Sequence, residues 1–400
     1  MKVLIIDDSE DIHLLVSQYA RIWGYDVVSA YDGLEALRIL ETSDIQLVIS
    51  DWSMPAMSGI ELCRIIRERF THQRYIYIIL LTARQEKEDL VTGMEAGADD
   101  FIRKPFHKDE LRVRLRAGER ALRTQQALAE QNKRLAETQA ALQKELEAAS
   151  IVQRNLLPNP THQPFRQAGY QFDLLYIPAT YLGGDTCNFI SLSSTHAGFY
   201  IIDVAGHGIA ASLKTVMLSQ HLSLACQRMR LLLGSPASSE EHFIRPPNEV
   251  LYHLNTIFTN ASDAMQYFTI IYGVVNTQTG YVTLSNGGHL PALVLRNDGT
   301  LNALPSDGIP LGMFDDVEYS SQECMLGPGD RLILYTDGIT ECEALDGKHY
   351  SHQRFEEILR CHAHMPLRNC IGAVYEDLVV WHGSTAFDDD ISLFIIERLL

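Results

Sequence analysis

The sequence predicts a chain in three parts: an α/β unit built on a parallel sheet, one long helix, and an α+β unit of two packed sheets with helices outside. Three observations carry this. Over residues 1–118, short apolar runs alternate with amphipathic stretches. Residues 107–157 contain no proline and a single glycine, Gly118. Over 160–400, most apolar runs are short, β-branched and often alternating. A length of 400 residues accommodates two to three domains, at roughly 100–200 residues each.

In the first part the strand candidates are "KVLIID", "YDVVSA", "QLVISD", "YIYIILLT" and "ADDFIRK". Between them lie "EDIHLLVSQYARIWG", "GLEALRILET", "GIELCRIIRERF" and "KEDLVTGMEAGA". This β-α alternation predicts five parallel strands with helices on both faces. Ligands of such sheets gather at the carboxyl ends of the strands.

The second part carries a heptad pattern. Gln125, Leu128, Asn132, Leu135, Gln139, Leu142, Leu146 and Ala149 follow 3-4 spacing, with leucine at three d positions and Asn132 at an a position. A short parallel coiled coil with a register-setting Asn fits this pattern, and a homodimer is the expectation. A solvated helix lying along its own domain would show a wider apolar face. Leu111, Leu115 and Leu122 are out of phase with the seam, so the helix is expected to change partners there. "LLPNP" at 156–160 ends it. The expected boundaries are 1–118, 119–157 and 158–400.

The third part offers "QFDLLYIPA", "AGFYIIDVAG", "FTIIYGVVN", "GYVTLSNGG", "PALVLR", "DRLILYTDG" and "ISLFIIERL" as strands. Two or three helices interrupt them, including "IAASLKTVMLSQHLSLACQRM". Two sheets face to face, with helices outside, follow.

Composition excludes several partner classes. Lys plus Arg is 33 and Asp plus Glu is 51, a net charge of −18 that repels phosphate backbones and anionic lipid. Nucleic acid and membrane are therefore discounted, and no basic helix-turn-helix supports a DNA-binding regulator. The longest apolar run, "YIYIILLTA", is too short to span a bilayer. "MKVLIIDDSED" turns acidic where a signal peptide would stay apolar, so a cytoplasmic protein is expected. The seven cysteines include no CxxC pair and read as thiols of a reducing compartment. Cys63 and Arg69 match the Cys-x5-Arg spacing of cysteine phosphatases, but they lie in an amphipathic helix and not in a Gly-rich loop. "CHAH" at 361–364 has no second cluster to complete a metal site and reads as helix surface.

Polar residues at strand ends mark a first site. Asp7 and Asp8 follow the first strand, Asp51 ends the third, Thr82 the fourth and Lys104 the fifth. A surface turn accounts for any one of them but not for five converging on one sheet edge. The carboxylates suit Mg²⁺, a hard cation. Asp51 can then attack a phosphoryl group while Lys104 and the Thr82 hydroxyl hold its oxygens. The segments "IIDD", "VISDWSMPAMSG", "LLTA" and "DDFIRKPF" resemble the receiver domain of two-component response regulators, which is flavodoxin-like. That resemblance implies Asp51 as phospho-acceptor, Asp7 and Asp8 as acid pocket with Asp8 a direct Mg²⁺ ligand, and the Ser53 carbonyl as a further ligand. It also implies Phe101 as an aromatic switch, a cis Lys104–Pro105 bond, and a sensor histidine kinase as partner.

A second acid set lies in apolar company: Asp185 in "YLGGDTCNF", Asp203 in "FYIIDVAGHG", Asp337 in "LILYTDGITE" and the triplet in "FDDDISLF". If these cluster, each pair at ~4 Å repels by about 4 kcal/mol at an effective dielectric of 20. Divalent cations would cancel that, and all-oxygen ligation points to Mg²⁺ or Mn²⁺. "EAASIVQRNLLP", "IPATYLGGD", "DVAGHG", "FTIIYGVVNTQTGYVTLSNGGHLP", "GIPLGM", "YTDGITE" and "DDDISL" resemble the SpoIIE/RsbU-like branch of the metal-dependent protein phosphatase 2C superfamily. The resemblance implies two metals held by Asp185, Asp203, Asp337 and Asp389, with the Val204 carbonyl completing one shell. Asp390 and Glu341 would stand behind these ligands, and Asp388 would face solvent. The family commonly has an acid where this chain has Asn188, read here as supporting the site without touching metal. His207 is a candidate general acid, with a turn-holding role as the alternative; His289 reads as structural.

Together these imply a phosphatase for phosphoserine or phosphothreonine in a protein, regulated by phosphorylation of Asp51. The resemblance further implies a phosphorylated anti-sigma-factor antagonist of STAS type as substrate, and dimerisation through the helical linker and the receiver. The alternative is a catalytically weak adaptor that holds a sigma or anti-sigma factor. The four aspartates favour the enzyme, because some proteins that resemble this architecture have lost them and use the phosphatase fold to hold a sigma factor.

Overall fold

In a computed structural model of the chain, residues 1–70, 74–83, 87–160, 166, 168–206, 208–223, 231–234, 243–259 and 267–400 are described. The chain divides into two compact units, Met1–Ala141 and Leu142–Leu400.

The first unit runs β1 (Lys2–Ile6), α1 (Glu10–Ile22), β2 (Asp26–Ala30), α2 (Gly33–Thr42), β3 (Leu47–Asp51), α3 (Gly59–Phe70), β4 (Tyr77–Thr82), α4 (Lys87–Glu95), β5 (Asp100–Arg103) and the start of α5 (Lys108–Arg154). Its five strands are parallel in the order β2-β1-β3-β4-β5, as the β-α alternation predicts. Every residue of β3 and β4 is buried, because helices cover both faces and leave no solvent side for polar alternation. Leu37, Leu40, Leu62 and Ile66 pack on one face; Val16, Ala20, Leu111 and Leu115 pack on the other.

The helix α5 is 47 residues long. Its phase change has a packing cause. Leu111, Leu115 and Leu122 are buried in the first unit's core, whereas Leu128, Leu135 and Leu142 of the heptad seam are exposed. An exposed row of leucines at d spacing is a surface that a second helix can cover.

The second unit runs β6 (Tyr170–Ile177), β7 (Thr186–Ser191), β8 (His196–Val204), α6 (Ile209–His221), β9 (Leu233–Gly234), β10 (Phe243–Ile244), α7 (Pro247–Thr259), β11 (Phe268–Asn276), β12 (Tyr281–Gly287), β13 (Leu293–Leu295), β14 (Leu301–Ala303), β15 (Gln322–Met325), β16 (Arg331–Tyr335), α8 (Asp337–Thr340), α9 (His352–Cys361), α10 (Leu367–His382) and β17 (Ile391–Arg398). Two five-stranded sheets form, β15-β12-β11-β8-β7 and β14-β13-β16-β17-β6, with antiparallel pairing throughout. Phe172, Phe199, Ile271, Leu334 and Phe394 meet between them. The outer face of the first sheet carries α6 and α7; that of the second carries α9 and α10. The described helices exceed the two or three expected. The extra ones are a single turn, α8, and the α9–α10 pair, whose second member is rich in β-branched residues that weigh toward strand. Among the described residues, no helix is long and apolar enough to cross a membrane.

Strand parity decides where polar residues at the strand ends point. Phe199 and Ile201 of β8 face the inter-sheet core, while Tyr200 and Ile202 face the helices. Asp203 continues the inward series. Cys187 and Phe189 of β7 also face inward, so Asp185 just before them falls on the same side.

Candidate functional site

In the first unit the parallel sheet brings its strand ends to one edge. Asp7, Asp8 and Asp51 each present a carboxylate oxygen within 4.8 Å of the others, the only such acid group among the described residues. Asp7 and Asp51 are buried and Asp8 is exposed. Lys104 reaches both buried acids, at 2.8 Å to Asp7 and 2.5 Å to Asp51. Burial pushes Asp51 above its ordinary range, and Lys104 only partly offsets this. Burial also pulls on Lys104, but its hydrogen bonds to Asp51 and Asp7 outweigh that and its net shift is upward. One ammonium facing three carboxylates leaves negative charge for a hard divalent cation to cancel, so the residues fit Mg²⁺. The Ser53 amide donates to Asp51 at 3.2 Å, which places the Ser53 backbone beside the cluster. Thr82 is buried at the end of β4, and the Lys104 amide donates to its carbonyl at 2.7 Å. Phe101 packs partly buried against the core, and the Lys104–Pro105 bond is cis. Gly59 keeps this edge tight, since a Cβ there would lie 2.2 Å from the Asp51 carbonyl.

In the second unit the acids gather at one end of the sandwich. A cavity of about 670 Å³ is lined by Asp203, the Val204 segment, Asp337, Glu341 and the triplet Asp388, Asp389 and Asp390. No Lys or Arg is among its described lining residues. Asp185 lies behind it, 2% exposed, and its carboxyl hydrogen-bonds with that of Asp203. Burial, then Asp203 and Asp390, hold Asp185 well above the usual carboxylate range. Burial, then Asp337, Asp389 and Asp390, push Asp203 up to about 7. Asp337 is raised by burial, then by Asp389 and Glu341. Carboxyl groups gathered in a cavity with no Lys or Arg among its described lining residues have the donor chemistry of a hard-cation site. The residues thus fit Mg²⁺ or Mn²⁺.

The acids are held by a dense set of bonds. Asp390 accepts from the Ala179 amide at 2.8 Å and the Gly184 amide at 2.5 Å, and the Asp185 amide also bonds to it. It therefore anchors the loop that carries Asp185. Thr336 donates its hydroxyl to Asp185 at 2.8 Å and accepts from the Ser392 amide at 3.1 Å. The paired glycines of "LGGD" are required by closeness: a Cβ at Gly183 would lie 2.8 Å from the Asp390 carboxylate, and one at Gly184 would lie 2.9 Å from the Val204 carbonyl. Gln153, near the end of α5, makes a two-way bond with Gly183, donating to its carbonyl at 2.6 Å and accepting from its amide at 3.2 Å.

Other sequence-expected residues separate. Asp389 accepts from the Asp390 amide at 2.8 Å and lines the cavity, as does exposed Asp388. Glu341 stands at its rim. Asn188 lies in β7 with parity opposite to Cys187 and bonds the buried Tyr200 hydroxyl on the helix-covered face. His289 is 4% exposed; its Nε2 donates to the Tyr335 carbonyl at 3.1 Å, so its Nδ1 accepts from the Thr269 hydroxyl at 2.7 Å. Thr269 is the cross-strand partner of Asp203, so His289 ties the first sheet to β16 at the acid end. Burial pulls this imidazole down to about 4, against the Tyr335 carbonyl. His207 lies outside the described residues. Sequence reasoning passed over Gln153 and Thr336, although each sits inside a quoted motif. A lone polar residue next to an apolar or glycine-rich run was the available signal.

A family model described as stage II sporulation protein E matches residues 193–399, a segment that begins just after Asp185, and a response regulator receiver domain model matches residues 3–116. The chain is 31% identical over 198 residues to phosphoserine phosphatase RsbP of Bacillus subtilis, covering 50% of this chain and 45% of that protein. It is 40% identical over 117 residues to the alkaline phosphatase synthesis transcriptional regulatory protein PhoP of Bacillus subtilis, covering 29% of this chain and 47% of that protein. The chain thus spans about half the length of the curated relatives it matches. Among solved structures, the SiaA-PP2C domain of Pseudomonas aeruginosa shares the fold with a TM-score of 0.54 at 20% identity, over 65% of this chain and 98% of that one.

Proposed function

Because the chain belongs to the stage II sporulation protein E family and carries a response regulator receiver domain ahead of that region, we propose that it is a metal-dependent protein serine/threonine phosphatase controlled by phosphorylation of Asp51. The observation that carries this is buried Asp185 set behind half-buried Asp203, which lines one cavity with Asp337 and Asp389. Asp185, Asp203, Asp337, Asp389 and the Val204 carbonyl would hold two Mn²⁺ or Mg²⁺ ions, which would supply charge neutralisation and an acidified water. Asp390 holds the Asp185 loop in place, Thr336 orients the Asp185 carboxylate, and the acid end of the sandwich admits a phosphoryl group on a protein side chain. All four ligand positions are aspartate, which favours the enzyme over an adaptor.

In the receiver, Asp51 would accept the phosphoryl group from a sensor histidine kinase. Asp7, Asp8 and the Ser53 carbonyl would hold Mg²⁺ beside it. Lys104 and Thr82 would bind the phosphoryl oxygens, and Phe101 would follow Thr82. The proposed substrate is a phosphorylated anti-sigma-factor antagonist, and the proposed assembly is a homodimer paired along α5 and the receiver, working in the cytoplasm. RsbP is a phosphoserine phosphatase by name, which supports the reaction class. The test is hydrolysis of p-nitrophenyl phosphate by the full chain with Mn²⁺ or Mg²⁺. Turnover should appear with metal and vanish with chelator; none under either metal would overturn the reading.

A further inference from the structure

Hydrolysis of a phosphoserine leaves an alkoxide, a poor leaving group that benefits from a proton donor. The acids of the cavity do not supply one if they hold cations. Three described histidines line this cavity or an adjoining one of about 550 Å³: His349 and His382 in the first, His289 in the second. Their ring nitrogens are used differently. His289 is buried with both nitrogens engaged, by Thr269 and the Tyr335 carbonyl. His382 has both nitrogens against backbone carbonyls, Glu343 at 2.8 Å and Ala386 at 2.9 Å. His349 commits one only: its Nδ1 donates to the Glu341 carbonyl at 2.9 Å, and among the described residues its Nε2 has no protein partner.

The backbone holds His349 in place. It forms a bridge with Glu343, the Tyr350 amide donates to the Cys342 carbonyl at 2.9 Å, and the Ala344 amide donates to the Lys348 carbonyl at 2.8 Å. The next residue, Tyr350, is buried and donates to Asp377 at 2.5 Å, which Arg354 also clamps. This hairpin springs from α8, the turn that begins with Asp337.

We propose that His349 is the general acid of the phosphatase site, an inference that rests on the phosphatase reading. As the P–O bond to the serine or threonine oxygen breaks, its electron pair stays on that oxygen, and the protonated Nε2 of His349 transfers its proton there. The product alcohol and a neutral imidazole result, with Nδ1–H still on the Glu341 carbonyl. Water forms the new P–O bond, and the proton it releases returns His349 to its protonated form through solvent.

The test uses the full chain with Mn²⁺ on aryl phosphates graded from p-nitrophenyl phosphate, whose leaving group needs no proton, to phenyl phosphate, whose leaving group does. His349→Asn keeps an N–H for the Glu341 carbonyl but has no proton to transfer. It should lose ~10²-fold or more on phenyl phosphate, the lower end of general-acid contributions, and only about threefold on p-nitrophenyl phosphate. An equal loss on both, or no loss on either, overturns the assignment and leaves the phosphatase reading standing. A wild type far slower on phenyl than on p-nitrophenyl phosphate also overturns it. A wild type inactive on every ester overturns the phosphatase reading itself. Independently of turnover, the ¹⁵N shifts of the His349 ring in metal-free protein should show the Nδ1–H tautomer; an Nε2–H tautomer would contradict the geometry.

Discussion

Gln153 and Gly183 are joined by two hydrogen bonds, so that a side-chain amide replaces a strand neighbour for the backbone that leads into Asp185. Gln153 is 6% exposed and sits near the end of α5, the helix whose other end packs in the receiver core. Leaving a buried N–H and C=O unpaired costs about 1–3 kcal/mol each. Gln153→Ala should therefore lower the melting temperature of the second unit and loosen the Asp185 loop. We expect weaker Mn²⁺ binding, by roughly 10-fold on the scale of groups that orient metal ligands. Calorimetric titration with Mn²⁺ checks this, and unchanged affinity would show that the loop holds itself.

Asp390 and Asp337 should fail in different ways. Asp337→Asn removes charge at the cavity and should cost at least ~10²-fold in turnover. Asp390→Asn replaces an acceptor of backbone amides by a group that presents an NH₂ to one of them. It should cost about 10–100-fold, largely through metal affinity, and excess Mn²⁺ should recover part of it. Turnover measured against Mn²⁺ concentration separates the two cases.

The acid cluster also sets a pH dependence. Asp203 is raised to about 7, and Asp185, Asp337 and Asp390 are raised as well. Unfolded aspartate titrates near 3.9. Between these values the folded chain binds more protons than the unfolded one, so stability falls as pH rises through the folded range. Chelated protein should melt on the order of 5 °C lower at pH 8 than at pH 5. Mn²⁺ should remove most of the difference, and Asp203→Asn should flatten it without metal. A chelated wild type that is more stable at pH 8 would reverse the sign and refute the clustering.

Phosphorylation of Asp51 should be felt along α5. The exposed leucines 128, 135 and 142 offer a pairing seam, and Gln153 lies one short stretch beyond it. A coupling of ~1–3 kcal/mol corresponds to about 5–150-fold in activity. Beryllofluoride should raise both the dimer fraction in sedimentation and the turnover of the wild type, and change neither in Asp51→Asn. If the wild type responds in neither, α5 is a passive tether.

The sequence by itself determined the strand ends and the acids on them. Apolar runs of period two or none, closed by Asp7, Asp51, Asp203 or Asp337, are local patterns, and local patterns are set by the backbone repeat. The leucine seam and its phase change were legible for the same reason. The tertiary structure alone decided which polar groups meet. Thr336 reaches Asp185 across 151 residues of chain, and Ala179 reaches Asp390 across 211. It also set Asn188 against Tyr200 on the helix side of β7 and left His349, alone of the three cavity histidines, with one ring nitrogen uncommitted among the described residues. Periodicity fixes the face a residue takes on its own strand. The partner it finds depends on how two sheets stack, which is settled by side-chain packing between distant segments and leaves no repeat in the sequence.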